Sequence, residues 1–481
     1  MASIQELKRE YTRAVSEGYA AIFAGAGLSR SSGYVNWKDL VRPFADDIGL
    51  NVDKEHDLAS MTQYYVNKRK TRSSLNQKIL NEFTKDVSYN ENIDILTRLP
   101  IKTYWTTNYD ELIEEGLKSN NRKADIKITQ ESLAINIYDR DAVVYKMHGD
   151  VHNPDKAVLI KDDYELYAQE RPLFRTALQG ELITKTFLFI GFSFDDPNFN
   201  YILSQIRVLL GESSRDHYCF FEKVKQQDEQ SDEDFHYNIA KQHLKIDDLL
   251  RYGIQTIELD SYDEITEILK DIERGCLMKN IFISGSYANN VTSEHWNNEK
   301  ADIFAFSLAK KLVEHDYKII SGFGVNIGSS VINGALEEIM RSKYKHINEH
   351  LCLRPFPQNI SDPDQRKKLW KINREEMLKE AGIAIFIFGN KEVNKDGNKE
   401  IVNADGMIEE FEIAKETNKI IIPVGSTGWA SSYIDKQMEE TKGCYKYLYE
   451  KTGDWVILKE NTDCDKLIDT IIKIISNQQK F

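Results

Sequence analysis

Three short segments carry residue types suited to a phosphate-bearing ligand and to proton transfer. They are Gly25-Ala26-Gly27 with Ser29, Asn108 with Asp110, and His148 with Gly149. A glycine turn lets backbone N–H groups approach a phosphate, and a helix behind it adds the positive end of its dipole. A neutral amide such as Asn108 orients a water or a ribose hydroxyl, and a carboxylate two residues on can hold a carboxamide. Asn and Asp are also favoured N-caps, so Asn108 is equally suited to start a helix over 111–117. A histidine can act as a general base near neutral pH, and the glycine beside it gives a ligand room. His152, in a proline-containing loop, reads as structural.

Each segment stands where an apolar run ends. Runs at 20–24, 103–106, 142–147, 186–190, 217–221 and 254–259 alternate with amphipathic stretches, the pattern of a parallel sheet covered by helices. A helical insert is expected over about 41–97, and Glu273–Cys276 reads as a linker. Beyond it the pattern restarts: runs at 280–283, 318–320, 383–388 and 419–424 each enter a Gly/Ser turn. The fold class is therefore α/β, two Rossmann-like domains with parallel sheets, over 1–275 and 279–481. Ligands of such sheets bind beyond the carboxyl ends of the strands.

Composition narrows the function classes. A formal net charge of −14 argues against a general nucleic-acid binder, whose affinity rests on basic surface. The five cysteines are scattered, with no C-x-x-C pair, which disfavours a zinc ribbon or a disulfide framework. The N-terminus lacks a signal-peptide core, and no apolar run approaches the ~20 residues of a membrane helix. A cytoplasmic protein without membrane contact is expected.

Taken together, Gly25–Ser29, Thr106-Thr107-Asn108-Tyr109-Asp110, Met147-His148-Gly149-Asp150 and Gly191-Phe192-Ser193-Phe194-Asp195-Asp196-Pro197-Asn198 resemble a sirtuin-type NAD-binding domain covering most of 10–270. The resemblance implies that Gly25, Ala26, Gly27 and Ser29 cradle the pyrophosphate. It places Asn108 and Asp110 at the nicotinamide ribose and carboxamide, His148 as the base, and Gly191 with Ser193 on the adenosine side. Deacylating sirtuins carry Gly-Ile-Pro-x-Phe-Arg where this chain has Gly33-Tyr34-Val35-Asn36-Trp37. Thr107 replaces their glutamine, and their zinc-binding cysteine quartet is absent. With no metal expected and acyl-lysine binding disfavoured, the simplest chemistry for NAD+ as substrate is hydrolysis of the nicotinamide–ribose bond. The alternatives are an NAD-dependent deacylase or ADP-ribosyltransferase, and a non-catalytic nucleotide sensor.

In the second half, Ser284-Gly285-Ser286 and Gly322-Phe323-Gly324 with Gly328 again suit a phosphate, or serve only as tight turns. Arg354 and Arg374 are candidates for bidentate phosphate binding; Lys391 follows a strand end, and Glu410 can accept from ribose hydroxyls. This half resembles the SLOG family of nucleotide-sensing Rossmann folds. A sirtuin-like domain followed by a SLOG domain resembles the effector family of the bacterial Thoeris anti-phage system. That resemblance implies an NAD-depleting enzyme, acting in abortive infection, switched on by a cyclic ADP-ribose isomer from a TIR-domain partner. It implies signal binding at Ser284, Gly285, Gly322, Gly324, Gly328, Arg354, Arg374, Lys391 and Glu410, and a homotetramer. A phosphoribohydrolase in this half would need a Pro-Gly-Gly-x-Gly-Thr loop, which 397–410 lacks.

Overall fold

The computed structural model describes residues 2–478 apart from 56, 212–214, 227–230, 290, 292, 396–397 and 451–452. The chain divides into two compact units, Met1–Glu273 and Arg274–Phe481.

The first unit is built on a parallel sheet. Its strands are β1 (Ala20–Ala24), β2 (Thr103–Thr106), β3 (Ala124–Lys127), β4 (Ala142–Lys146), β5 (Thr186–Ile190), β6 (His217–Glu222) and β7 (Ile254–Leu259), in the order β3-β4-β2-β1-β5-β6-β7. Every residue of β1 and β5 is buried, so unbroken apolar runs such as Thr186-Phe187-Leu188-Phe189-Ile190 form its centre. Strand order reverses between β1 and β5, and a crevice opens at such a switch point. The glycine turn after β1 stands at its mouth. The insert expected over 41–97 is four helices, Trp37–Ile48, Leu58–Arg69, Ser73–Phe83 and Glu91–Arg98, the first, second and fourth capped by Asn36, Asp57 and Asn90 side chains.

The second unit has a parallel sheet of β8 (Asn280–Ser286), β9 (Lys318–Ser321), β10 (Leu351–Leu353), β11 (Ile383–Phe388) and β14 (Ile420–Pro423), ordered β10-β9-β8-β11-β14. Its switch point lies between β8 and β11. An antiparallel hairpin, β12 (Asn390–Lys395) and β13 (Asn398–Asn403), follows β11 directly.

Three differences from the sequence reading have physical causes. Edge strand β10 is apolar but only three residues long, and edge strand β3 has two apolar residues of four and pairs its own charges, Lys127 Nζ to Asp125 Oδ1 at 2.8 Å. Asn390 and Lys391, expected in a turn, start the β12–β13 hairpin, whose charged sequence conceals its pairing. Residues 273–276 contain the boundary between the two units but are helical: the amphipathic helix Glu264–Leu277 runs through them and tolerates its single glycine.

Candidate functional site

The turn after β1 is held by β5. Gly25 N–H donates to Ile190 O at 3.0 Å and Gly27 N–H to Gly191 O at 2.9 Å. A Cβ on Gly25 would lie 2.4 Å from Gly191 O, and one on Gly27 2.8 Å from Gly191 Cα. Gly191 itself has φ +66° and would bring a Cβ within 2.1 Å of Leu28 N. The glycines thus let two backbones touch, and two of the N–H groups expected to face a phosphate are spent on the neighbouring strand.

Asn108 is buried after β2 and does not cap the following helix, which runs Leu112–Ser119 from Glu111. Its Nδ2 donates to Gly25 O at 3.1 Å and Ser29 Oγ at 2.9 Å. Because a carbonyl accepts only, the Gly25 contact fixes which end of the amide is nitrogen. Oδ1 is then left as an acceptor suited to a water proton. Ser29, expected with the phosphate cradle, is buried against Asn108 and beside Asp110. Asp110 Oδ1 accepts from Leu112 N–H at 3.2 Å, while Oδ2 is buried with no hydrogen-bond partner among the described residues.

His148 follows β4, buried beside Tyr164 with ring centroids 5.5 Å apart and nearly perpendicular. Its Nε2 lies 2.8 Å from Asp196 Oδ2, with the N–H bent off the line of centres. Asp196 Oδ1 accepts from Phe199 N–H at 2.9 Å and caps the helix Pro197–Leu210. Burial works against its charge, but His148 and the backbone N–H groups of Phe199 and Asn198 outweigh it and hold the carboxyl below its ordinary range. The exposed His152 pairs with Glu111 at 2.9 Å, away from this contact.

Beneath the site lies an ion cluster that sequence reasoning missed. Lys146, fully buried at the end of β4, donates to Asp110 O at 2.6 Å and Tyr109 O at 3.2 Å. Its Nζ also meets Asp150 Oδ2 at 2.5 Å and Glu114 Oε1 at 3.1 Å. Burial opposes the ammonium, but Glu114 and Asp150 overcome it and raise its pKa. Burial pushes the Asp110 and Glu114 carboxyls up, and Lys146 offsets only part of that. Three carboxylates around one cation cannot all ionise without cost. The available signal was Lys146 ending an apolar strand four residues before Asp150.

A cavity of about 340 Å³ is lined by Ser29, Asn108, Asp110, His148 and Asp196, with Trp37 and Tyr164 among its aromatic walls. A larger groove of about 1130 Å³ extends along the ends of β5 and β6, bordered by Arg30, Phe221, Lys241 and Tyr262. The two share Gly27, Gly191, Phe192 and Ser193. No cluster of three metal-ligating side chains occurs among the described residues. No helix among them is long and apolar enough to cross a membrane.

In the second unit, Ser284 Oγ donates to Glu410 Oε2 at 2.5 Å, and Arg374 reaches Glu409 Oε2 at 2.8 Å and Glu410 Oε1 at 3.4 Å. The Arg374 guanidinium lies over the Phe356 ring at 4.8 Å. Burial pushes the Glu410 carboxyl up to about 7, despite Ser284 and Arg374. Arg354 pairs with Glu380, and Lys391 with Asp405 next to Gly406. A Cβ on Gly406 would lie 2.5 Å from Arg374, so Lys391, Arg374, Glu410 and Ser284 follow one another along one edge. Gly285 and Gly324 pack backbone to backbone, Gly328 packs on Phe323, and Gly322 faces Phe356.

The fold and the site define a SIR2-like unit joined to a SLOG unit. Residues 102–245 match the SIR2-like domain family, and 264–478 match the Sir2- and TIR-associating SLOG family. Curated relatives match the chain over most of their own length. The chain is 45% identical over 476 residues to the NAD(+) hydrolase ThsA of Bacillus cereus strain MSX-D12, covering 97% of each. It is 44% identical to that of Acinetobacter baumannii strain 532279, with 88% of each covered. With that of Cytobacillus dafuensis it shares 43% identity over 99% of this chain and 97% of the relative. The chain belongs to the ThsA family.

Proposed function

We propose that the chain is an anti-phage NAD+ glycohydrolase whose first unit releases nicotinamide when a cyclic ADP-ribose isomer binds its second. One observation carries the reading: Ser29, Asn108, Asp110 and His148, from three strand ends, line one cavity that adjoins the larger groove at Gly27 and Gly191. A dinucleotide with its pyrophosphate at that junction has nicotinamide riboside on one side and adenosine, near Gly191 and Ser193, on the other. Ala26 and the rest of the turn form the floor between them.

Asp110 Oδ2, without a hydrogen-bond partner among the described residues, accepts from the carboxamide N–H. The C1′–N bond breaks with its electron pair going to the ring nitrogen, so nicotinamide leaves neutral and positive charge develops on the ribose. A water held by Asn108 Oδ1 bonds to C1′ from the opposite face. His148 takes the proton and passes it to solvent, leaving ADP-ribose, nicotinamide and one proton. Positioned proton transfer of this kind contributes roughly 10²–10⁴ in rate.

For the second unit, Ser284, Gly285, Gly322, Gly324, Gly328, Arg354, Arg374, Lys391 and Glu410 are the proposed signal-binding positions. Support comes from Arg374, Arg354 and Lys391 each pairing with a carboxylate that a phosphate of matching geometry would replace. Signal and NAD+ then affect each other's binding reciprocally. The TIR-domain partner that makes the signal, the homotetramer and the cytoplasmic setting belong to the same proposal.

The test uses purified full-length protein with NAD+, alone and with each cyclic ADP-ribose isomer, following nicotinamide and ADP-ribose chromatographically. Nicotinamide released only with an isomer present is the expected result. No release under any isomer would refute the reading. An acyl-ADP-ribose or ADP-ribosylated protein as the product would replace hydrolysis by transfer.

A further inference from the structure

We propose that Asp196 is the positioning residue for His148, with its two oxygens divided between the helix it caps and the imidazole it orients. The inference rests on the reading of His148 as the base and adds the group that selects its tautomer.

The geometry is specific. Oδ1 accepts from Phe199 N–H at 2.9 Å, which satisfies an amide at the start of Pro197–Leu210. Oδ2 is thereby left over, 2.8 Å from His148 Nε2, with both side chains buried. A carboxylate only accepts, so this short contact favours the tautomer with the proton on Nε2, and Nδ1 remains as the nitrogen able to take another. The bend in this contact is of the kind that tightens when substrate completes a site. The edge-on Tyr164 ring packs against the imidazole, while Pro197 at the first helical position and the buried cap keep the carboxylate from rotating away. A buried acid that fixes an imidazole tautomer is the logic of the Ser-His-Asp triad, transferred here to a base without a serine.

Asp196→Asn separates this role from the structural one. Asparagine caps helices as well as aspartate. With its Oδ1 on Phe199 N–H, its NH₂ faces His148 and donates to Nε2. The imidazole proton moves to Nδ1, and the nitrogen that should accept is blocked.

The experiment uses the full-length protein labelled with ¹⁵N-histidine, the His148→Ala spectrum assigning the signal. The expected result is an Nε2–H tautomer in the parent chain and Nδ1–H in D196N, with the same melting temperature. In the presence of activating signal, kcat for NAD+ falls on the order of 10²–10⁴-fold while KM is unchanged. D196N added to H148A lowers turnover no further. An unchanged tautomer in D196N, or a further loss on the H148A background, overturns the role of Asp196. H148A retaining full turnover instead overturns the reading of His148 as base, whatever the tautomer result.

Discussion

Replacing Lys146 with methionine tests whether the asparagine loop depends on the charge buried beneath it. The side chain is fully enclosed, so methionine nearly conserves its volume and removes only the cation and its donors. Two backbone carbonyls, Tyr109 O and Asp110 O, lose a donor, while Asp110, Glu114 and Asp150 lose their shared counter-charge. Removing one partner of a buried ion pair costs about 3–5 kcal/mol. At roughly 2–4 °C per kcal/mol for a unit of this size, the melting transition of the first unit should fall by roughly 6–20 °C. The loss must also depend on pH. Without Lys146 the Asp110 and Glu114 pKa values rise further above their unfolded values. Acids raised in the folded state destabilise it increasingly as pH climbs through the interval between the two values. The gap between K146M and the parent should therefore widen from pH 5 to pH 8. Scanning calorimetry of full-length protein at the two pH values measures both effects. A shift below 2 °C, or a gap that does not change with pH, would refute the argument that these acids depend on one lysine.

Asn108→Ala should lower signal-activated nicotinamide release on the order of 10²–10⁴-fold, with a stability loss near 1–2 kcal/mol for two hydrogen bonds. A stability loss with turnover intact would mark it as structural. Gly191→Ala forces a left-handed residue and sets a Cβ 2.1 Å from Leu28 N, so it should cost more than about 3 kcal/mol and abolish the first unit's native transition; normal melting would contradict the observed packing. For Glu410, burial raises the folded pKa from 4.5 to about 7, so its neutral form favours folding and stability is lost as pH rises from 4.5 through 7. At about 1.4 kcal/mol per unit the effect is about 3 kcal/mol; Glu410→Gln, which mimics the neutral acid, should remove it, as melting at pH 5 and pH 8 would register.

Much of the architecture was legible because a strand buried on both faces is an unbroken apolar run, and ten such runs stand in this chain, eight of them ending in glycine, asparagine, serine or histidine turns. What escaped the reading were β3, β10 and the β12–β13 hairpin. β3 and the hairpin are stabilised by pairing with a neighbour, and their charged residues leave no apolar run to mark them, while β10 is apolar but only three residues long. Asn108 shows the limit for side chains: cap and cavity ligand are the same residue in sequence, and only the positions of Gly25 and Ser29 separate them.

The sequence by itself determined two α/β sheets, the residue types at their carboxyl ends and the family resemblance, because these depend on local hydrophobic order and short motifs. Tertiary structure alone decided what those residues do to one another. Gly25 and Gly27 meet Gly191 across 164 and more residues of chain, Lys146 gathers Asp110 and Glu114 from the loop and helix after β2, and Asp196 reaches back to His148. Charge and hydrogen-bond energies depend on ångström separations between segments remote in sequence, and no one-dimensional spacing contains them.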